Sequence, residues 1–417
     1  GGYFIQGTGC LVFLSGSGSD SVWTSVNAQT FNEIEINKVG GFGVILQSRM
    51  VALGLVTFTD GRLTGDTLEA RGDVLCVAGD ASGNTGKLLI AGSASQILNG
   101  TGGTFPNIRI NKSGGTLTLL GTIRPFQYWV HSAGTVDPGA STVELVVNGS
   151  QAGDVNAPGM SFNHLTLPDN GCGGWTWRLL SSININGNLT INACTYLELQ
   201  SYTATVAGNY TNSGTLVEGT GTIVFDSTTT STIISGGTGL SQEFNNLTVN
   251  KTGAGRVILS TNDLKVNGTF TLTSGEFNQG ATFSLQCGAL TVGASGVLVN
   301  TGTGDLTLSG NVANSGLIHF NGSGALAGDA DPILIRSTPA TTVRTWSGTG
   351  VFRLYDVDLS YQTASVAATV YSGTNAGNNT GWTFASLFTD RYSIGTNAGI
   401  IYGSGTVACN RSATVTL

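Results

Sequence analysis

The sequence predicts an all-β chain wound as a parallel β-helix solenoid, right-handed by the crossover rule, with irregular insertions. Three observations carry that expectation. A Phe-led segment recurs along the chain, apolar and polar residues alternate in runs of three to five between Gly, Asn and Ser, and the i, i+3, i+4, i+7 spacing of helices is almost absent.

The clearest copy of the segment is Phe244-Asn245-Asn246-Leu247-Thr248-Val249-Asn250-Lys251-Thr252-Gly253. Degraded copies begin at Phe31, Phe105 and Phe162, and the last loses its Asn-Lys-Gly ending to Pro168-Asp169-Asn170-Gly171. Alternation makes each copy one strand with Phe, Leu and Val inward, followed by an Asn/Gly corner. On this reading Asn250 and Gly253 form the corner and Lys251 is a solvated charge. A second repeat relates Val206–Gly214 to Leu308–Gly316, with Gly-Asn and Ser-Gly at its corners, where positive φ or Asx turns are needed. A third relates Gly221–Asp226 to Ser141–Val146 and Gly86–Ile90. Strands this short, repeating in one direction without two-residue hairpin signals, favour a solenoid over a sandwich or a closed barrel. At roughly 20 to 25 residues per turn the chain makes about 16 to 20 turns, a rod on the order of 80 to 100 Å long, with Asn side-chain ladders at its corners. Long interruptions at 42–84 and 325–350 put regular winding in doubt there.

Composition fits a folded rod with a polar, nearly uncharged surface: 417 residues, 63 of them Gly, 40% hydrophobic and only 10% charged. A net charge of −7 without any basic run argues against a nucleic-acid groove. No run of residues approaches the roughly 20 apolar positions of a membrane helix. The chain starts Gly1-Gly2-Tyr3, which is expected either of a chain that has lost a leader or, the favoured reading, of a segment cut from something larger. The repeats assign residues 1–385 to the β-helical region, and 386–417 to a terminal strand segment that either starts a further module or pairs with a neighbouring subunit. Six cysteines show no zinc-ligand spacing, so neither a metal nor a cofactor is expected. Cys172 and Cys194 are about one turn apart, a spacing open either to a rung-to-rung disulfide or to two buried thiols.

Three stretches, Phe244–Gly253, Val266–Gly275 and Asn379–Phe384, resemble the repeats of very large secreted bacterial surface proteins: β-helical stalks, adhesins and filament-like proteins. The resemblance covers most of residues 1–385. It implies an extracellular or cell-surface location and a structural or adhesive role, and it carries no catalytic residues.

Apolar strand-like segments stand near both ends, Tyr3–Ile5 with Cys10–Leu14, and Ile400–Tyr402 with Val407 and Val415. Uncapped solenoid ends expose unpaired backbone, and head-to-tail strand addition between copies of the chain would propagate without closing. Such a contact would bring Cys10 of one subunit to Cys409 of the next. The competing chemistry is sparse. Asp356 and Asp358 alternate along Leu354–Leu359 beside Arg353, which would place both carboxylates on one strand face, as the general acid/base pair of a β-helix polysaccharide lyase or hydrolase or, more simply, as a solvated face or a weak calcium site; Asp329 and Asp331 are a second close pair. His131, His164 and His319 stand far apart and read as surface or corner residues. Aromatic clusters around Trp129, Trp175 and Trp177 offer indole faces to sugars, against the simpler reading of core filling. Asn209, Asn246, Asn250 and Asn267 head Asn-x-Thr triplets, which the repeat produces anyway.

Overall fold

The computed structural model describes the chain except residues 1–7, 15–17, 23–27, 80–82, 147–151, 170, 172, 236–242, 323–331 and 386–417. The described residues hold no helix: parallel strands stack as a β-solenoid of about 16 turns. The two-residue side-chain period sends every second residue inward, and the register stacks like on like. Ile183, Ala204, Ile223, Leu247, Phe270, Leu290, Val312, Trp346 and Ala364 thus form one inward column across nine strands. Leu11, Ile34, Val56, Val74, Leu98 and Leu119 form another in the first third. The four Phe-led copies place Phe31, Phe105, Phe162 and Phe244 in the buried core, together with Leu247 and Val249 as the alternation requires.

Corners follow a short rule. In Asn212-Ser213-Gly214, Asn278-Gln279-Gly280, Asn300-Thr301-Gly302, Asn314-Ser315-Gly316 and Asn375-Ala376-Gly377, the Asn Oδ1 accepts the amide of the Gly two residues on, at 2.9 to 3.0 Å. These are Asx turns, which redirect the strand without spending a ladder bond. The Phe162 copy uses the same device where its Asn-Lys-Gly is lost: Asp169 Oδ1 accepts from the Gly171 amide at 2.9 Å. An Asn ladder runs between turns, with His164 Nδ1 accepting from the Asn188 amide at 3.0 Å, Asn188 Oδ1 from Asn209 at 2.9 Å, and Asn209 Oδ1 from Thr232 at 2.9 Å.

Winding continues where the sequence left it in doubt. Met50–Ala52 pairs with Gln29–Phe31 on one side and with Thr67–Ala70 on the other. Val74–Cys76 pairs with Val56–Asp60. Beyond the undescribed 323–331, Ile333–Ser337 lies on Leu306–Leu308 and Arg344–Ser347 on Val312–Asn314. The interruptions lack the Phe-led signature, yet their Met, Leu, Val and Phe side chains fill the same inward columns.

Candidate functional site

The least expected feature is a buried amine at the end of three Phe-led strands. Lys38, Lys112 and Lys251 all stand seven residues after their Phe, and all are buried at 3% exposure or less. The expectation of a solvated Lys251 is therefore corrected. Its side chain turns back under the corner, and the three N–H groups of Nζ are shared among four acceptors within reach: the Ala207 carbonyl (3.2 Å), the Asp226 carbonyl, Ser227 Oγ (2.9 Å) and Ser231 Oγ (2.6 Å). Lys112 Nζ donates to the Ala94 carbonyl (2.7 Å) and to Gln96 Oε1, and Lys38 Nζ to the Leu14 carbonyl (2.8 Å). Corner carbonyls that have left the ladder need a donor, and a long cationic arm supplies several from one residue. Burial pushes the Lys251 amine down to about 8, partly offset by the Asp226 charge, and lowers Lys112 by burial alone.

The following rung makes room for each lysine with a glycine at positive φ: Gly61 (φ 89°), Gly134 (φ 104°) and Gly275 (φ 80°). A Cβ on these would lie 2.7, 2.6 and 2.5 Å from the Cβ of Lys38, Lys112 and Lys251. The methyl of Gly275→Ala would meet the base of the lysine stem, which cannot swing aside. That substitution should cost about 2–3 kcal/mol of stability, measured by urea denaturation; a loss below about 0.5 kcal/mol would mean the corner adapts. Beside the Lys251 corner lies an open depression of about 720 Å³. Arg256 and Glu276, partners in register, line it with opposite charges.

Of the aromatic candidates, Trp129 and Trp177 are core residues, which corrects the reading of their indoles as sugar platforms. Trp129 packs on Phe162 with ring centroids 5.5 Å apart and points Nε1 at Met160 Sδ, 3.2 Å away. Trp177 lies on Gly153, where a Cβ would come within 2.7 Å of the indole. Trp175 is half-buried, so part of its indole stays accessible. The carboxylates separate too. Asp356 is a buried corner residue at φ 54° between Val351–Tyr355 and Val357–Leu359, so it and Asp358 do not share a strand face. Asp358 Oδ1 accepts the Thr374 amide at 2.8 Å. Asp329 and Asp331 fall outside the described residues. His131 is a corner brace whose ring nitrogens lie 2.8 and 2.9 Å from the carbonyls of Pro158 and Gly134.

Cys194 is disulfide-bonded, while Cys76 and Cys287 are buried thiols raised by burial, the first to about 11 and the second to about 12. Cys172 and Cys409 lie outside the described residues; Cys10 is an exposed thiol. Among the described residues no three His, Cys, Asp or Glu side chains gather to hold a metal, and no helix is long and apolar enough to cross a membrane. No protein-family model matches the chain, and neither a curated protein nor a solved structure does.

Proposed function

We propose that the protein is a structural element of a cell exterior, a surface stalk or a filament built from copies of this chain end to end. The observation that supports this most is the continuity of the ladder, in which stacked inward columns run from Leu11 to Ala364 and each turn is built on the one before. A solenoid of this kind sets length and stiffness by repetition and supplies edge strands at which a further copy can add. Among the described residues Cys10–Leu14 pairs on one edge only, with Glu33–Asn37, and Thr380–Ala385 pairs only with Gln362–Tyr371. Leu14, 64% exposed, adds apolar surface at that first edge. Head-to-tail addition is open and heterologous, so its product grows with concentration.

Electron microscopy of the purified chain over a concentration series tests the filament form. Fibres that lengthen with concentration and carry a regular axial repeat are expected. Isolated rods of one length at every concentration would leave the stalk and remove the filament. A second reading, a glycan-binding adhesin, is supported by the accessible part of Trp175.

A further inference from the structure

The outward face of the last described turns carries aromatic rings in a column. Asn321, Tyr355, Tyr371 and Ala385 are successive partners in register on the strands Leu317–Asn321, Val351–Tyr355, Gln362–Tyr371 and Thr380–Ala385. Tyr355 and Tyr371 stack with centroids 5.4 Å apart and planes 21° from parallel, and His319 sets its ring edge-to-face with Tyr355 at 6.4 Å and 77°. Leu354 and Val370 point into the core, so the tyrosines point out, and Tyr371 is 36% exposed. The next place in the column belongs to Ala385, whose methyl is too small to cover a phenol ring. In the adjacent column Arg353 follows His319. Arg353 is exposed and makes no ion pair or side-chain hydrogen bond with the described residues.

We propose that this face binds carboxylated saccharides, a sugar ring taking the third place in the tyrosine column while its carboxylate pairs with Arg353. The apolar C–H face of a pyranose stacks on an aromatic face as another ring would. The place over Ala385 is one rung deep, about 4.8 Å between strands, close to the 5.4 Å at which the ring of Tyr355 already rests on that of Tyr371. Arg353 stands two rungs and one column away, a backbone gap of about 12 Å that the guanidinium arm and a ring substituent span together. A guanidinium fork fits a carboxylate with two parallel hydrogen bonds, which a hydroxyl of a neutral sugar cannot match. The chain is net negative overall, so an anion attracted here is attracted by Arg353 and not by a general positive field. The inference rests on this column of rings and stands whether the rod is a stalk or a filament.

The test is calorimetric titration of the full chain with hexagalacturonate, 3′-sialyllactose and cellohexaose. Wild type should bind at least one of the two acidic probes and bind cellohexaose at least tenfold more weakly. Uptake of hexagalacturonate alone assigns the site to rings within a polymer, and of sialyllactose alone to terminal sugar acids. Tyr371→Ala and Arg353→Gln should each weaken acidic-probe binding at least tenfold, with Arg109→Gln, an exposed cation on Asn107–Ile123, unchanged. Arg353 is a surface residue, so Arg353→Gln keeps the fold and reads out even if Tyr371→Ala does not; Tyr371→Phe should retain binding. No binding of either acidic probe, equal binding of cellohexaose, or undiminished binding by Arg353→Gln overturns the proposal.

Discussion

Lys251→Ala is expected to lower stability by about 3–5 kcal/mol at neutral pH, although it removes a charge from the interior. Alanine strands the Asp226 carbonyl that Nζ now serves, at about 1–3 kcal/mol for a buried unsatisfied acceptor, while the Ala207 carbonyl keeps the hydroxyls of Ser227 and Ser231; it also leaves the volume of three methylenes and the amine empty. The relief of no longer burying an ammonium offsets part of this. Lys265→Ala makes the control. Its Nζ pairs with Glu243 at 2.9 Å on the partly exposed surface, and its loss should cost less than about 1 kcal/mol. Urea denaturation with amide exchange over Asn246–Asn250 measures both, and equal losses would show that the buried amine does not anchor the corner. The pH dependence follows from the lowered amine, about 8 in the folded chain against 10.5 for an ordinary lysine. Between those values the unfolded chain holds a proton that the folded chain has released, so stability from this group rises with pH above 8 and is lost as pH falls through 8. Lys251→Met should abolish that rise.

Trp177→Ala should cost about 3–5 kcal/mol by the same denaturation, because an indole buried to 1% exposure leaves a cavity that the ladder cannot close. The rung below offers Gly153 at the contact, with no side chain to move into the space. Trp177→Phe should recover much of the loss, since the indole N–H makes no hydrogen bond and its removal orphans nothing. Glycan retention by the folded variants should not change. A Trp177→Ala protein with native stability and impaired glycan retention would return this residue to a surface role.

Sequence alone made the rungs legible because their causes are local. Alternation from Phe244 through Val249 states which side chains go inward, and Ser-Gly pairs such as Ser213-Gly214 mark where the strand turns. What stayed hidden depends on partners from other turns. Lys251 looks like a surface residue until carbonyls 25 and 44 residues earlier in the chain are brought beneath it. A signal did exist: lysine recurs seven residues after Phe in three of four copies, in a chain where only 10% of residues are charged. Asp356 misled for the opposite reason. Its neighbours alternate as a strand should, and nothing in its residue type announces a left-handed backbone at the middle of the run. Trp175-Thr176-Trp177 puts both indoles on one face by alternation, but Trp175 opens the strand and is only partly covered.

The parallel ladder also fixes how the rod would respond to being pulled. Its hydrogen bonds run along the long axis, so tension between the ends stretches them in series, one turn after another, instead of shearing many at once. Such a body yields by unspooling from its weakest turn, and each released turn lengthens the chain by some twenty residues. The buried lysines tie their corners to the turns before them, Lys251 reaching back across two, so these are the places where unspooling should pause.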